Sequence, residues 1–230
     1  MTTSSVPTSP LARPKKQVQP QQFYEHYLPM LWERLRAETP WSLPGTSLAL
    51  TIEEPSQHRT FYLFFDENRL LCADSATHPP PLVHIRSSLA AWKLAVHDLW
   101  PRIIRWVNRH RDEVEQSLQD YARHRAPLFS AQAWSAHSGT IHIHFIDDAG
   151  DSGDYFVQVG EGGPKHVRVA VEENDVWTLL DNRHRWTDLF HTSLSITGDA
   201  AYLLKLVRLL EQDPHIQKNE IKPGSTTTAL

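Results

Sequence analysis

A chain of 230 residues lies between the size of one large domain and that of two small ones. With 40% hydrophobic residues, 22% charged residues and eight Trp, it carries enough apolar material for a packed core, which excludes a chain disordered throughout. Lys and Arg number 23 against 27 Asp and Glu; the resulting charge of −4 gives no field-wide attraction to nucleic acid or to an anionic membrane.

Residues 1–22 are rich in Ser, Thr, Pro and Gln and lack the apolar stretch of a secretory signal, so no export is expected. This segment and residues 217–230 are too polar to offset the entropy of ordering, and both are expected to be disordered tails. The single Cys72 has no partner for an internal disulfide, which points to a reducing, cytoplasmic setting. Nowhere do about 18 apolar residues run without charge.

From Phe23 the spacing of Phe23, Tyr27, Met30, Leu31 and Leu35 predicts an amphipathic helix, kinked or begun at Pro29. Alternation at Leu48, Leu50 and Ile52, and again at Phe61, Leu63 and Phe65, predicts two strands. Shorter strands follow at 70–73 and 82–85, separated by Pro79, Pro80 and Pro81. Ser87 or Ser88 caps a helix carrying Leu89, Trp92, Leu94 and Val96. A second helix has an apolar stripe of Ile103, Ile104, Val107, Val114 and Leu118. Its basic residues Arg102, Arg105, Arg109 and Arg111 are diluted by Asp112, Glu113 and Glu115, and read as a solvated face of mixed charge.

The plan then recurs: strands at 140–146, 154–160 and 166–172 and a helix from Asn174. The segment Val83 to Trp92 parallels Arg168 to Trp177, each a strand stepping through polar residues into a helix with a central Trp. Such an internal echo suggests a duplication with a degenerate first copy; one extended domain is the other reading. The expected division is an accessory or degenerate α+β unit at 23–100 and a complete one at 101–216.

Ile141, Ile143 and Phe145 alternate with His142 and His144, and Tyr155, Val157, Val159, Val167, Val169 and Val171 continue one apolar sheet face. A last strand at 193–197 meets Gly198 and Asp199, a sharp turn and a cap, before a helix with Leu203, Leu206, Val207 and Leu210 on one face. Burying those four contributes several kcal/mol, at about 1.5–3 kcal/mol each, so the helix is expected to dock on the sheet.

The acidic step Glu172-Glu173-Asn174-Asp175 into a helix, and the strand ending in Gly198-Asp199, resemble the sterol carrier protein (non-specific lipid transfer) family over about residues 139–211. The resemblance implies an α+β fold, a mainly antiparallel five-stranded sheet covered by helices, here duplicated in tandem if the echo is a true copy. It also implies an apolar tunnel for an acyl chain, sterol or isoprenoid, lined by Ile143, Phe145, Val157, Val169, Trp177, Phe190, Ile196, Leu203 and Val207. Trp186 and Phe190 stand where such families are small and Gly-rich, and are bulky enough to plug the tunnel, so that an open and a plugged tunnel are both left by the sequence.

Covalent chemistry finds no scaffold. His142 and His144 lack a third ligand for a metal and read as the polar outer face of a sheet. Asp147, Asp148, Asp151 and Asp154 form a hairpin turn, Gly160 to Gly163 a plain connection, and His184 and His191 a polar rim near Trp186. The expectation is a non-catalytic binder of a hydrophobic molecule, without cofactor, metal or nucleic acid, and with a peripheral membrane contact left open. The alternative is a protein-interaction scaffold with a filled core.

Overall fold

Ile52 and Phe61 face the same way on neighbouring strands because Pro55 and Ser56 turn the chain between β1 (Thr46–Glu54) and β2 (Gln57–Asp66), an antiparallel hairpin that pairs Leu50 with Phe61 and Leu48 with Leu63. The structure is a computed structural model that describes residues 10–38, 46–66, 69–73, 81–114, 116, 137–182 and 194–211. β3 (Arg69–Ala73) adds to β2, and β4 (Val83–Ser88) returns parallel to β1, placing Ile85 beside Leu50 and Ser87 beside Ile52. The second half repeats this wiring. β5 (Gly139–Ile146) and β6 (Ser152–Val159) form a hairpin, β7 (His166–Glu172) lies parallel to β5, and β8 (Ser195–Gly198) closes the edge.

The five-stranded, mainly antiparallel sheet expected from the sequence is corrected here. The strands form one mixed sheet of eight, in the order β3-β2-β1-β4-β6-β5-β7-β8, with parallel pairs at β1/β4 and β5/β7. The reason is the seam. Without each other, β4 and β6 would be edge strands with unpaired N–H and C=O groups. They pair antiparallel, Ile85 with Val157 and Ser87 with Tyr155, and so merge the two halves into one sheet.

Two helical runs cover the first half. One passes from α1 (Pro20–Gln22) through a π-helical stretch π1 (Phe23–Tyr27) into α2 (Leu28–Glu38), and the other from α3 (Leu89–Lys93) through π2 (Leu94–Leu99) into α4 (Trp100–Arg109). In each, a Pro stands at the second residue after the wide turn: Pro29 in α2 and Pro101 in α4. Proline has no N–H to donate and its ring collides with the carbonyl four residues back, and widening the preceding turn relieves both. Leu28 N–H accordingly reaches Phe23 O, and Trp100 N–H reaches Ala95 O, five residues back. Residue 100, the expected division between the two units, lies within the second run.

Residues 10–22, within the segment read from composition as a tail, lie against the first-half core. Leu11 and Val18 are buried with the first-half core, and Asn108 of α4 clamps the backbone of Leu11, accepting from its N–H at 2.7 Å and donating to its carbonyl at 3.0 Å. Tyr27 Oη donates to Ala12 O and His97 Nε2 to Val18 O, at 2.9 and 3.0 Å.

On the second half, α5 (Glu173–Asn182) follows β7 and α6 (Ala200–Glu211) follows β8. Asp199 caps α6 by accepting from Tyr202 N at 2.9 Å, and Gly198 takes φ +93, a turn in which an added Cβ would lie 2.6 Å from His166 O. α6 buries Leu203, Leu206 and Val207 with Tyr202 against Val159, Val167 and Val169. The side chain of Leu210 lies outside the described residues.

A candidate ligand cavity

The helix-covered face of the sheet is a set of continuous cross-strand rows. One runs Ile52, Ser87, Tyr155, Ile143, Val169, Ile196 from β1 to β8; the next runs Leu50, Ile85, Val157, Ile141, Val167. Over the second half α6 sits directly on these rows, Val167 being fully buried and Val169 nearly so. Over the first half the two helical runs stand off and leave a cavity of about 250 Å³.

Its floor is Leu50, Ile52, Ile85, Ser87 and Tyr155; its roof is Phe23, Tyr24, Trp92, Val96 and Trp100. Both π-helical stretches contribute to the roof. The Phe23 ring meets Trp92 and Trp100 edge-on at 5.9 Å each, and Tyr24 lies 4.8 Å from Phe61. Aromatic rings hold this geometry because edge-on and tilted contacts match their quadrupoles, and few torsions need be fixed.

Three hydroxyl groups serve these aromatics. Tyr155 Oη donates to Ala91 O at 2.7 Å, seating α3 on β6 where Gly153 lets the helix approach; a Cβ there would lie 2.8 Å from Ala91 Cβ. Trp100 Nε1 donates to Tyr27 Oη at 3.2 Å, and Trp92 Nε1 donates to Tyr24 Oη at 3.0 Å. The Tyr24 hydroxyl thus accepts one hydrogen bond and, among the described residues, donates none. Burial raises its pKa well above the ordinary tyrosine value, outweighing the lowering by Trp92, so it keeps its proton. Burial likewise pushes Tyr155 up to about 12.

The residues expected to line a tunnel are distributed as follows. Val169, Ile196, Leu203 and Val207 come together under α6. Ile143 and Val157 are half-buried and continue the rows of the cavity floor towards that cluster, and Phe145 is buried one row further, opposite Gly153. Trp177 is half-buried on α5, its Nε1 donating to Glu173 Oε1 at 2.9 Å beneath the Arg102 guanidinium. Phe190 and Trp186, like His184 and His191, lie outside the described residues.

The lining implied by the family resemblance leaves out Phe23, Tyr24, Trp92 and Trp100, whose one legible signal is a Pro shortly after a cluster of aromatics on an amphipathic helix.

On the opposite face of the sheet, His142 Nε2 and His144 Nδ1 both donate to Asp154 Oδ1, at 2.7 and 3.0 Å, and the His142 ring stacks on Phe156. Among the described residues no group of three or more His, Cys, Asp or Glu is arranged to hold a metal ion. Nor is any helix among them long and apolar enough to cross a membrane. Asp147 accepts from Ala149 N and Asp151 N, forming the turn between β5 and β6, and Gly160 to Gly163 join β6 to β7.

No family model matches this chain, and no curated protein matches it. Among solved structures it is similar to one titled UbiJ-SCP2 ubiquinone synthesis protein, at 13% identity over 48% of this chain and 89% of that one, with a TM-score of 0.23. A likeness so distant carries no weight for function.

Proposed function

We propose that this protein binds a hydrophobic small molecule in the cavity beneath π1 and π2, holding it without covalent chemistry. The observation that carries the reading is an apolar cavity of about 250 Å³ whose wall presents two buried hydroxyls, Tyr24 in the roof and Ser87 in the floor, that donate no hydrogen bond among the described residues. That volume exceeds the roughly 150 Å³ that holds a benzene ring and falls short of the roughly 300–1,000 Å³ of drug-sized pockets. The ligand is therefore a short acyl or isoprenoid segment, or a single ring, with one oxygen acceptor for Tyr24. A whole sterol is too large for this space. Half-buried Ile143 and Val157, in the same rows, extend the floor for the remainder of a longer chain.

The test is titration of delipidated protein with a fluorescent fatty acid, beside mass spectrometry of the native protein for lipid carried through purification. Saturable binding displaced by unlabelled lipid is expected. Ala95 lines the cavity, and Ala95→Leu should block binding while raising stability by about 0.5–2 kcal/mol, as cavity filling does. A clean apo mass together with no saturable binding at micromolar lipid would end the proposal.

A further inference from the structure

On the face of α4 turned away from buried Ile104 lies a second, separate hollow of about 300 Å³, lined by Arg102, Arg105, Trp106, Arg109 and, from α5, Trp177. Spacings of three, four and seven residues bring the three guanidinium groups to one side of the helix. They are not equivalent. Arg102 is held by two carboxylates: Glu173, which is 3% exposed in its side chain, and Asp148 at 3.4 Å; its Cζ lies 5.2 Å over the Trp177 ring. Arg105 and Arg109 are exposed and have no anionic partner among the described residues. Arg102 thus fixes the wall, and Arg105 and Arg109 share the lining with the indoles of Trp106 and Trp177 as cations without an anionic partner among the described residues.

We propose that this cleft binds the phosphate group of a phosphate ester, with Arg105 and Arg109 taking the oxygens and Trp106 and Trp177 packing on the ester's organic body. Guanidinium suits that role because its planar fork matches a phosphate and its charge persists at any physiological pH. Indole supplies a rigid apolar face with little entropy to lose. The site does not depend on the cavity reading, since it uses the other face of α4 and none of the same residues.

Two arms distinguish the source of the phosphate, a lipid headgroup or a soluble ester. In one, full-length protein is sedimented with phosphatidylglycerol vesicles, with phosphatidylcholine vesicles as the control. In the other, tryptophan fluorescence is followed during titration with pyrophosphate. The double variant Arg105→Gln, Arg109→Gln, both positions exposed and its fold checked by circular dichroism, should weaken whichever binding is seen by about tenfold or more. Binding should also fall as the Debye length shrinks from about 10 Å at 0.1 M salt to about 3 Å at 1 M. Vesicle binding without a pyrophosphate response identifies a headgroup, and the reverse identifies a soluble phosphate ester. Silence in both arms, or binding untouched by the double variant, overturns the proposal.

Discussion

Trp92 and Trp177 occupy matching places in the two halves, four residues after Ser88 and Glu173 at the strand-to-helix step, yet their surroundings differ. Trp92 is 3% exposed and donates to Tyr24 inside the first core, whereas Trp177 is half-buried beside Arg102. Trp92→Ala should therefore cost about 3–5 kcal/mol, as large aromatic deletions in cores do. Trp177→Ala should cost about 1 kcal/mol, nearer the middle of the range for single substitutions. Urea titration of both variants checks the ordering, and equal losses would contradict it. Glu173 supplies a second residue-scale test. Its buried carboxylate takes the Arg102 guanidinium, Trp177 Nε1 and the backbone N–H of Asp148. Removing Arg102 leaves that charge without its cation, so Arg102→Ala should destabilise by about 2–3 kcal/mol, less than a fully buried pair because Arg102 keeps part of its surface in water. A loss under about 0.5 kcal/mol would make the pair an ordinary surface contact.

At the scale of elements, the face of the sheet that carries His84 and Asp154 is where acid should act. His84, paired with Thr51 Oγ1 at 2.7 Å, has its pKa lowered from 6.5 by burial and then by the Arg86 charge. The unfolded chain therefore takes up that proton first. The stability His84 contributes is complete above pH 6.5 and is lost as pH falls below it. For Asp154, burial pulls the carboxyl up, but hydrogen bonds from His142 and His144 outweigh it and leave a net lowering from 3.8. Its contribution is present above pH 3.8 and is lost as pH falls through the folded value. Urea midpoints should thus fall on acidification in two steps. His84→Gln should flatten the upper step and leave the lower one, and an unchanged upper step would assign it elsewhere. The helical runs were partly legible at this scale: Pro29 signals an interruption, and Ser88 caps α3 by accepting from Ala91 N at 3.1 Å. That each Pro would widen a turn rather than kink or end the helix depends on the aromatics packed beside it, which one-dimensional spacing does not contain.

For the molecule as a whole, the β4/β6 seam makes the two halves one hydrogen-bonded sheet, reinforced by Arg102 of α4 reaching Glu173 of α5. Unfolding should be a single cooperative transition in urea, with tryptophan fluorescence and far-ultraviolet circular dichroism coinciding. Two separated transitions would mean that the halves are independent and the seam is weak.

Alternation of apolar side chains and the caps at Ser88 and Asp199 were determined by the chain itself, because periodicity is written in the sequence and each cap is a bond between residues three apart. The docking of α6 through Leu203, Leu206 and Val207 belongs with them, since its apolar stripe has nowhere else to go. The eighth-strand count, the merging of two meanders and the open space under π1 and π2 were decided by tertiary structure. Ile85 meets Val157 because two strand edges needed partners, and Phe23 meets Trp92 across 69 positions. Periodicity states which face of a strand is apolar; it does not state which strand lies next to it, or how far above it a helix will settle.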